Sequence, residues 1–462
     1  MFRDQHGLEM TAASEQAVAH YDSMMLHYLG IRSDTGDRLK DVFDADPEML
    51  MAHCAKGNFM KLFCTPPLER KAEESLETAK QLMAVGATDR EKQHVAALDA
   101  WCRGDVAGAT DIWESILLDY PADVLAMRLV HFTHFYLGDS AAMRDSVARS
   151  LPYWHAEMPA YGFVLGLNAF GLEETGNYTE AERAGRRAVE INAKDIWATH
   201  AVAHVMEMQG RHRDGIAWLD GLSAKWDGCN NFRYHTWWHK CLFHLELEQF
   251  DVILDLYDTQ VRADTTSADY LDMSNAIALL WRLEEAGADI GDRWAELADK
   301  AEDKIHDHIF AFHDAHYMMA LAADGRQEKI SEMLESMEGA AASEETTEGP
   351  VFRDVGRTLC QAVADFAAGE YDRVVALLSL VRRQVYRVGG SHAQRDLFFR
   401  VLTVAVLRSG QHRLARALLA ERNALNPSSP WGLKREAEAL DGLGEAAAAE
   451  DARQRASALQ AA

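Results

Sequence analysis

The sequence predicts an all-α chain of helix-turn-helix pairs stacked into a curled, right-handed α-solenoid. Three observations carry that reading. Apolar residues recur with helical period in segment after segment, no alternating run between hairpin turns competes with them, and glycines close helix-length segments at a fixed interval. Gly104 to Gly138, Gly176 to Gly210 and Gly410 to Gly444 are each 34 residues apart. A unit of that size is one helix pair, which cannot bury its own apolar face, so successive pairs must stack.

Thirty-four residues is the period of the tetratricopeptide repeat, and its pattern is plainest in E-T-G-N-Y-T-E-A-E-R-A-G-R-R-A-V-E-I. There Gly176 makes the turn, Tyr178 packs back, and Ala181 and Ala188 let the two helices approach. Pro121 and Pro427 each stand 17 residues past the turn glycine of their unit, where the repeat ends its second helix. Gly30 with Pro47 fits the same template. Gln249-Phe250-Asp251, Gly287, Gly325 and Gly369-Glu370-Tyr371 mark longer units, so the middle of the array carries insertions. The expected organisation is one continuous domain, 1–462: divergent helical pairs over 1–100, tetratricopeptide-like repeats over 101–445, and a capping helix over 446–462. Glu338 to Pro350, acidic and without period, reads as a mobile surface loop.

Composition narrows the function. Apolar residues make up 48% of the chain, ample for a core. Lys and Arg number 47 against 73 Asp and Glu, a formal charge of -26, and such a field repels phosphate backbones and anionic lipid heads. The expectation is therefore no nucleic acid and no membrane partner. The N-terminus has no basic region leading into an apolar one, and no stretch reaches ~18 consecutive apolar residues, so a soluble, cytoplasmic protein is expected. Six cysteines without a C-x-x-C pair argue against a zinc ribbon and a dense disulfide framework.

In a tetratricopeptide stack the first helix of each pair lines the concave surface. Counting back from Gly210 places Trp197, His200, His204 and Glu207 on that stripe. The next unit offers His235 with Trp238 or His239, and the unit ending at Gly325 offers His313 or His316 beside Asp314. The helices after them contribute Arg357, Gln394, Arg395 and Asp396, polar where apolar residues would pack more cheaply. Two His pairs at i, i+4, His200/His204 and His235/His239, put both rings of a pair on one helix face. Adjacent helices could thus supply three or four imidazoles to a divalent metal such as zinc, with His200, His204 and His239 as the ligand set. H-A-V-A-H lacks the glutamate that H-E-x-x-H peptidases use as general base, so peptidase chemistry is not indicated. A histidine on an apolar face is as often a core residue bonded to a backbone carbonyl. Cys241 has no base on its face, and Gly389-Gly390-Ser391 reads equally well as an anion cradle or a plain turn between repeats. Most tryptophans belong to the core, with Trp197 and Trp238 assigned to the groove as an aromatic wall.

Together these segments resemble the tetratricopeptide repeat protein 38 family. The resemblance rests on G-L-E-M-T-A-A-S at Gly7, H-A-V-A-H-V-M-E-M-Q-G-R at His200, Y-H-T-W-W-H at Tyr234, D-H-I-F-A-F-H-D-A-H at Asp307, R-D-V-G at Arg353 and G-G-S-H-A-Q-R-D-L-F at Gly389. It implies the repeat fold and marks His200, His204, His235, His239, Asp314, His316, Gln394, Arg395 and Asp396 as family positions, without naming a reaction. His313 departs from the family pattern, which more often has an amide there. Three functions stay open: a His/Trp/Arg-lined concave pocket for a small polar or anionic molecule with or without a metal ion, a scaffold binding a peptide or partner chain in the groove, and a metal-dependent enzyme. Self-association into a homo-oligomer through uncapped ends is a further expectation.

Overall fold

The turn between the two helices of a pair is where sequence and backbone meet most directly. In a computed structural model of the chain, which describes residues 1–461, the glycines at 104, 138, 176, 210, 410 and 444 all adopt positive φ, between 68° and 81°. This left-handed residue lets the next amide reach back into the preceding helix, as Asp105 N does to Ala100 O at 2.9 Å, Arg211 N to Met206 O at 2.9 Å and Gln411 N to Val406 O at 3.0 Å. Gly287, Gly325 and Gly369 of the longer units make the same turn. Gly30 does not: its φ is -78°, and Ile31 takes the left-handed position at 54°. Where the repeat at Gln249 lacks a glycine, Glu248 carries the strain with φ 55°.

The fold is all-α, with tetratricopeptide-like helix pairs stacked as in an α-solenoid. The two helices of a pair differ in burial. First helices are buried on nearly every face: twelve of the thirteen residues of Ala311–Ala323 are buried, and eleven of the thirteen in Val124–Tyr136. Second helices bury one stripe, such as Ala181, Gly185, Ala188 and Val189 of Tyr178–Ile191.

The described residues fall into two compact units. The first comprises Met1–Val202, Ala224–Arg233 and Ala342–Pro350, and the second Ala203–Ser223, Tyr234–Ala341 and the chain from Val351 onward. The helix Ile196–Met208 passes from one into the other.

The first unit opens with a feature the helical reading missed, a two-residue antiparallel ribbon of Phe2–Arg3 against Glu9–Met10. Two residues a side are too few for alternation to register in the sequence. Ser14 then caps Glu15–Leu29 through the Ala17 amide. The acidic segment expected to be a mobile loop is instead docked. Its first residues belong to the helix Gln327–Ala341, Thr347 N donates to Gly104 O at 3.0 Å, and Thr347 Oγ1 accepts from Ala107 N at 3.1 Å. Thr347 thus satisfies a repeat turn that would otherwise need water. Deeper in this unit Asp123 accepts from Arg90 at 2.7 Å and His94 at 2.9 Å while capping the Ala126 amide at 2.9 Å.

In the second unit the C-terminal helices return to the unit's earlier segments. Trp431 N donates to Glu246 at 3.0 Å, Lys434 pairs with Glu248 at 2.6 Å, and Arg213 donates to Gln460 O at 2.8 Å. The last helix, Ala446–Ala461, is thus tied at its far end, where Gln460 Nε2 donates to Glu246 O at 2.9 Å.

Burial by itself would raise the Asp123 carboxyl, but His94 and Arg90 beside it hold it well below the usual carboxylate range. A depressed folded pKa stabilises above the unfolded value, ~3.9 for Asp, and that contribution fades as pH falls below it. Asp123→Ala, which leaves Arg90 and His94 buried without their acceptor, is expected to cost about 3–5 kcal/mol in urea unfolding at neutral pH. The difference from wild type should shrink on acidification.

Candidate functional site

Three first helices of the second unit carry its polar residues inward. Phe232–Glu246, which enters the unit at Tyr234, brings His235, His239 and Glu246; Tyr270–Glu285 brings Asn275, Arg282 and Glu285; His392–Arg408 brings Arg395, Asp396 and Arg400. The third begins after two left-handed glycines, Gly389 and Gly390, with a capping box. Ser391 Oγ accepts from Gln394 N at 3.3 Å and Gln394 Oε1 accepts from Ser391 N at 2.9 Å.

His204, His235 and His239 come together in this unit, each at most 4% exposed. The rings of His204 and His239 lie 4.2 Å apart between centroids, and those of His235 and His239 4.8 Å. His235 Nδ1 is 2.8 Å from Asn275 Oδ1, His239 Nδ1 is 3.1 Å from Glu207 Oε2, and the two Nε2 atoms face each other at 3.3 Å. Burial lowers the pKa of His235 to about 4 and holds that of His204 well below its ordinary value, so both rings are neutral at neutral pH. Burial also pushes the Glu207 carboxyl up to about 8.

Glu207 belongs at the same time to the wall of a cavity of about 410 Å³. Its apolar lining includes Leu242, Phe398, Phe399 and Leu402, and six arginines, Arg282, Arg382, Arg383, Arg395, Arg400 and Arg422, line it beside the acids Glu207, Glu246, Asp396 and Glu421. Arg382 pairs with Glu421 at 2.5 Å, and two others join a buried network. Arg422 donates to both oxygens of Asp396, at 2.8 and 3.0 Å, while Arg400 bonds Asp396 and Glu246, each at 3.2 Å. Their guanidinium groups also stack over Trp431, at 4.7 and 4.3 Å from its ring centre. Asp396 is held well below the usual carboxylate range by Arg422 and Arg400, against the burial that would raise it.

Arg282 differs. It is 2% exposed and donates to two backbone carbonyls, Ala278 O at 3.0 Å and Ala393 O at 2.8 Å. No carboxylate lies within ion-pair distance of it among the described residues. Burial and the nearby charge of Arg400 lower its pKa to about 10, so it stays charged.

The other residues singled out from the sequence have contacts of their own. Trp238 is fully buried behind His235, its ring stacked at 5.4 Å, and forms core rather than an aromatic wall. His316 bonds Phe312 O at 2.8 Å and packs on Phe398, the core arrangement of a buried histidine. Asp314 accepts from His308 Nδ1 at 2.6 Å, and Arg357 is half exposed in an ion pair with Glu338 at 2.9 Å; neither lines the cavity. Gln394 serves as the helix cap described above. His313 stacks on Tyr270 at 4.2 Å. Trp197 and His200 lie in the first unit, where Trp197 is covered by the Arg128 guanidinium at 4.2 Å and His200 packs on Phe170 and Phe232.

Sequence reading missed Arg282, Asn275, Glu246, Arg400 and Trp431. One signal was present. In S-N-A-I-A-L-L-W-R-L, Asn275 and Arg282 are seven residues apart on one face of an otherwise apolar first helix, where each polar group costs free energy unless it has a task.

The paired, glycine-turned helices define the class: a tetratricopeptide-type helical repeat protein. No family model matches the chain. Among solved structures it is similar to the human IFIT1 dimer with PPP-AAAA, at 12% identity over 100% of this chain and 98% of that chain, TM-score 0.38. An IFIT1 monomeric mutant with Gppp-AAAA aligns at 13% identity over 95% of both chains, TM-score 0.38, and the P58(IPK) TPR domain at 13% over 80% and 92%, TM-score 0.23. The exclusion of nucleic acid read from net charge is withdrawn, because several arginines gather in one cavity of a chain whose summed charge is negative. Repeat proteins similar to this chain have been solved with PPP-AAAA and Gppp-AAAA, and a net charge of -26 is a sum that leaves room for a locally cationic cavity. No described helix is long and apolar enough to cross a membrane.

Trp431 holds the C-terminal pair against the cavity wall through Arg400, Arg422 and its Nε1 bond to Glu285 at 3.1 Å. Trp431→Ala should cost at least about 2 kcal/mol. Limited trypsinolysis should then cut after Lys434 or Arg435 faster than in wild type, because that pair detaches first.

Proposed function

We infer that this chain is a repeat protein of the tetratricopeptide repeat protein 38 family whose second unit binds a small anionic organic molecule. The anionic group, a carboxylate or a phosphate, pairs with Arg282, and an apolar body lies against Leu242, Phe398 and Leu402. Arg282 carries this reading: a guanidinium buried in a cavity wall and bonded to backbone carbonyls, with Asp396, Glu207 and Glu285 near enough to act on its charge but no described carboxylate within ion-pair distance. A buried cation without a direct ion pair is costly, and a ligand anion bonded to it lowers the cost. The cavity volume suits a metabolite-sized molecule. The order of the quoted motifs supports the family assignment, and six free cysteines, five of them buried, suit the reducing cytoplasm.

A scaffold binding an extended peptide is the second reading. It is less favoured because the C-terminal helices turn back onto Glu246, Glu248 and Arg213 of the same unit, where an open groove would have left those positions accessible.

A thermal-shift screen of carboxylates and phosphate monoesters, followed by calorimetry, tests the reading. At least one compound should raise the melting temperature of the wild type. Arg282→Met should weaken its binding about 10- to 100-fold, from the loss of ~1.5–3 kcal/mol of charge-assisted bonding. The ligand-free variant should be as stable as wild type or more so, because it no longer buries an uncompensated charge. Equal binding by the variant, or a screen without a single shift, would overturn the assignment.

A further inference from the structure

We propose that His204, His235 and His239 hold one divalent transition-metal ion, with Zn²⁺ the natural occupant, beside the cavity of the second unit. The argument starts from hydrogen positions. Asn275 Oδ1 accepts only, so the Nδ1 of His235, 2.8 Å away, carries that ring's proton. A cation bound between the rings favours Glu207 as a carboxylate, which likewise places the His239 proton on Nδ1, 3.1 Å away. Both Nε2 atoms then present lone pairs, and they point at each other across 3.3 Å. Without a metal, a proton on one nitrogen bridges the pair as a hydrogen bond, and a metal ion can take that proton's place. Metal–nitrogen bonds of ~2.0–2.1 Å at tetrahedral angles put two ligand nitrogens about 3.3–3.4 Å apart, which matches the spacing found.

The third imidazole is in reach, since the ligand atoms of His204, His235 and His239 all lie within 4.8 Å of one another. The outer contacts also suit metal ligation. One ring is backed by an amide oxygen and one by a carboxylate, as metal-bound imidazoles usually are, and Trp238 stacks in near-parallel on His235 to hold its plane. Nitrogen donors of this kind select zinc, cobalt or nickel over magnesium or calcium, which require oxygen. Three protein ligands leave a tetrahedral ion one open position. Glu207, shared between the His239 bond and the cavity wall, makes that position and the cavity neighbours. The site stands whether or not Arg282 binds an anion, because metal uptake is read without any organic ligand.

The test uses the full chain without a polyhistidine tag, stripped with chelator, dialysed against ZnCl₂ or CoCl₂ and freed of excess metal. Elemental analysis should find one ion per chain, and Co²⁺ should give the visible absorption of a tetrahedral site. X-ray absorption of the Zn²⁺ form should show a nitrogen and oxygen shell with scattering from three or more imidazoles. Asn275→Ala, which removes only the partner of His235, should weaken Zn²⁺ binding about 10- to 100-fold. His235→Ala should abolish it. A stoichiometry well below one ion, a shell with fewer than three imidazoles, or wild-type affinity in a folded His235→Ala protein would each overturn the proposal. Should His235→Ala not fold, the wild-type absorption spectrum and Asn275→Ala decide alone.

Discussion

First helices that are buried on nearly every face set the terms for everything else in this protein. A helix such as Ala311–Ala323 has no solvent side on which to place a polar residue at little cost. Each histidine, arginine or carboxylate on it must find a partner within the stack or stay uncompensated. Second helices, which bury a single stripe, are under no such constraint and carry the ordinary surface ion pairs, such as Arg186 with Glu182.

That constraint explains how the second unit is held together. Arg400 reaches Glu246, Glu285 and Asp396 from one guanidinium and lies over Trp431. These acids come from three first helices and the indole from the C-terminal pair, so one buried cation joins segments far apart in sequence. Breaking any member leaves charges stranded away from water, which costs more than the intact network contributes over an apolar replacement. The network therefore specifies which helices meet more than it adds to stability.

The same accounting distinguishes buried polar residues spent on the fold from those proposed above to bind. His316 has its backbone carbonyl, Asp314 has His308, and Gln394 has the Ser391 amide. Arg282 has carbonyls but no anion, and the facing nitrogens of His235 and His239 have each other. Both places border the cavity, one directly and one through Glu207.

Much of the architecture was legible in the chain because its signals are local. The left-handed turns fall on glycines spaced 34 residues apart, since glycine occupies that conformation without a steric penalty. The i, i+4 spacing of His235 and His239 determined that they share a face, whatever surrounds them. The ribbon at Phe2 and the docked segment at Thr347 left no such signal, because they depend on partners distant in sequence. The same is true of the site. Histidine type and spacing marked the right helices, yet nothing local separates His316, satisfied by its own helix, from His239, which reaches Glu207 on another. By itself the sequence determined the repeat, its turns and the helix faces. Only the tertiary structure decided which polar groups meet across helices, because in a buried helix that depends on what the neighbouring helix brings against it.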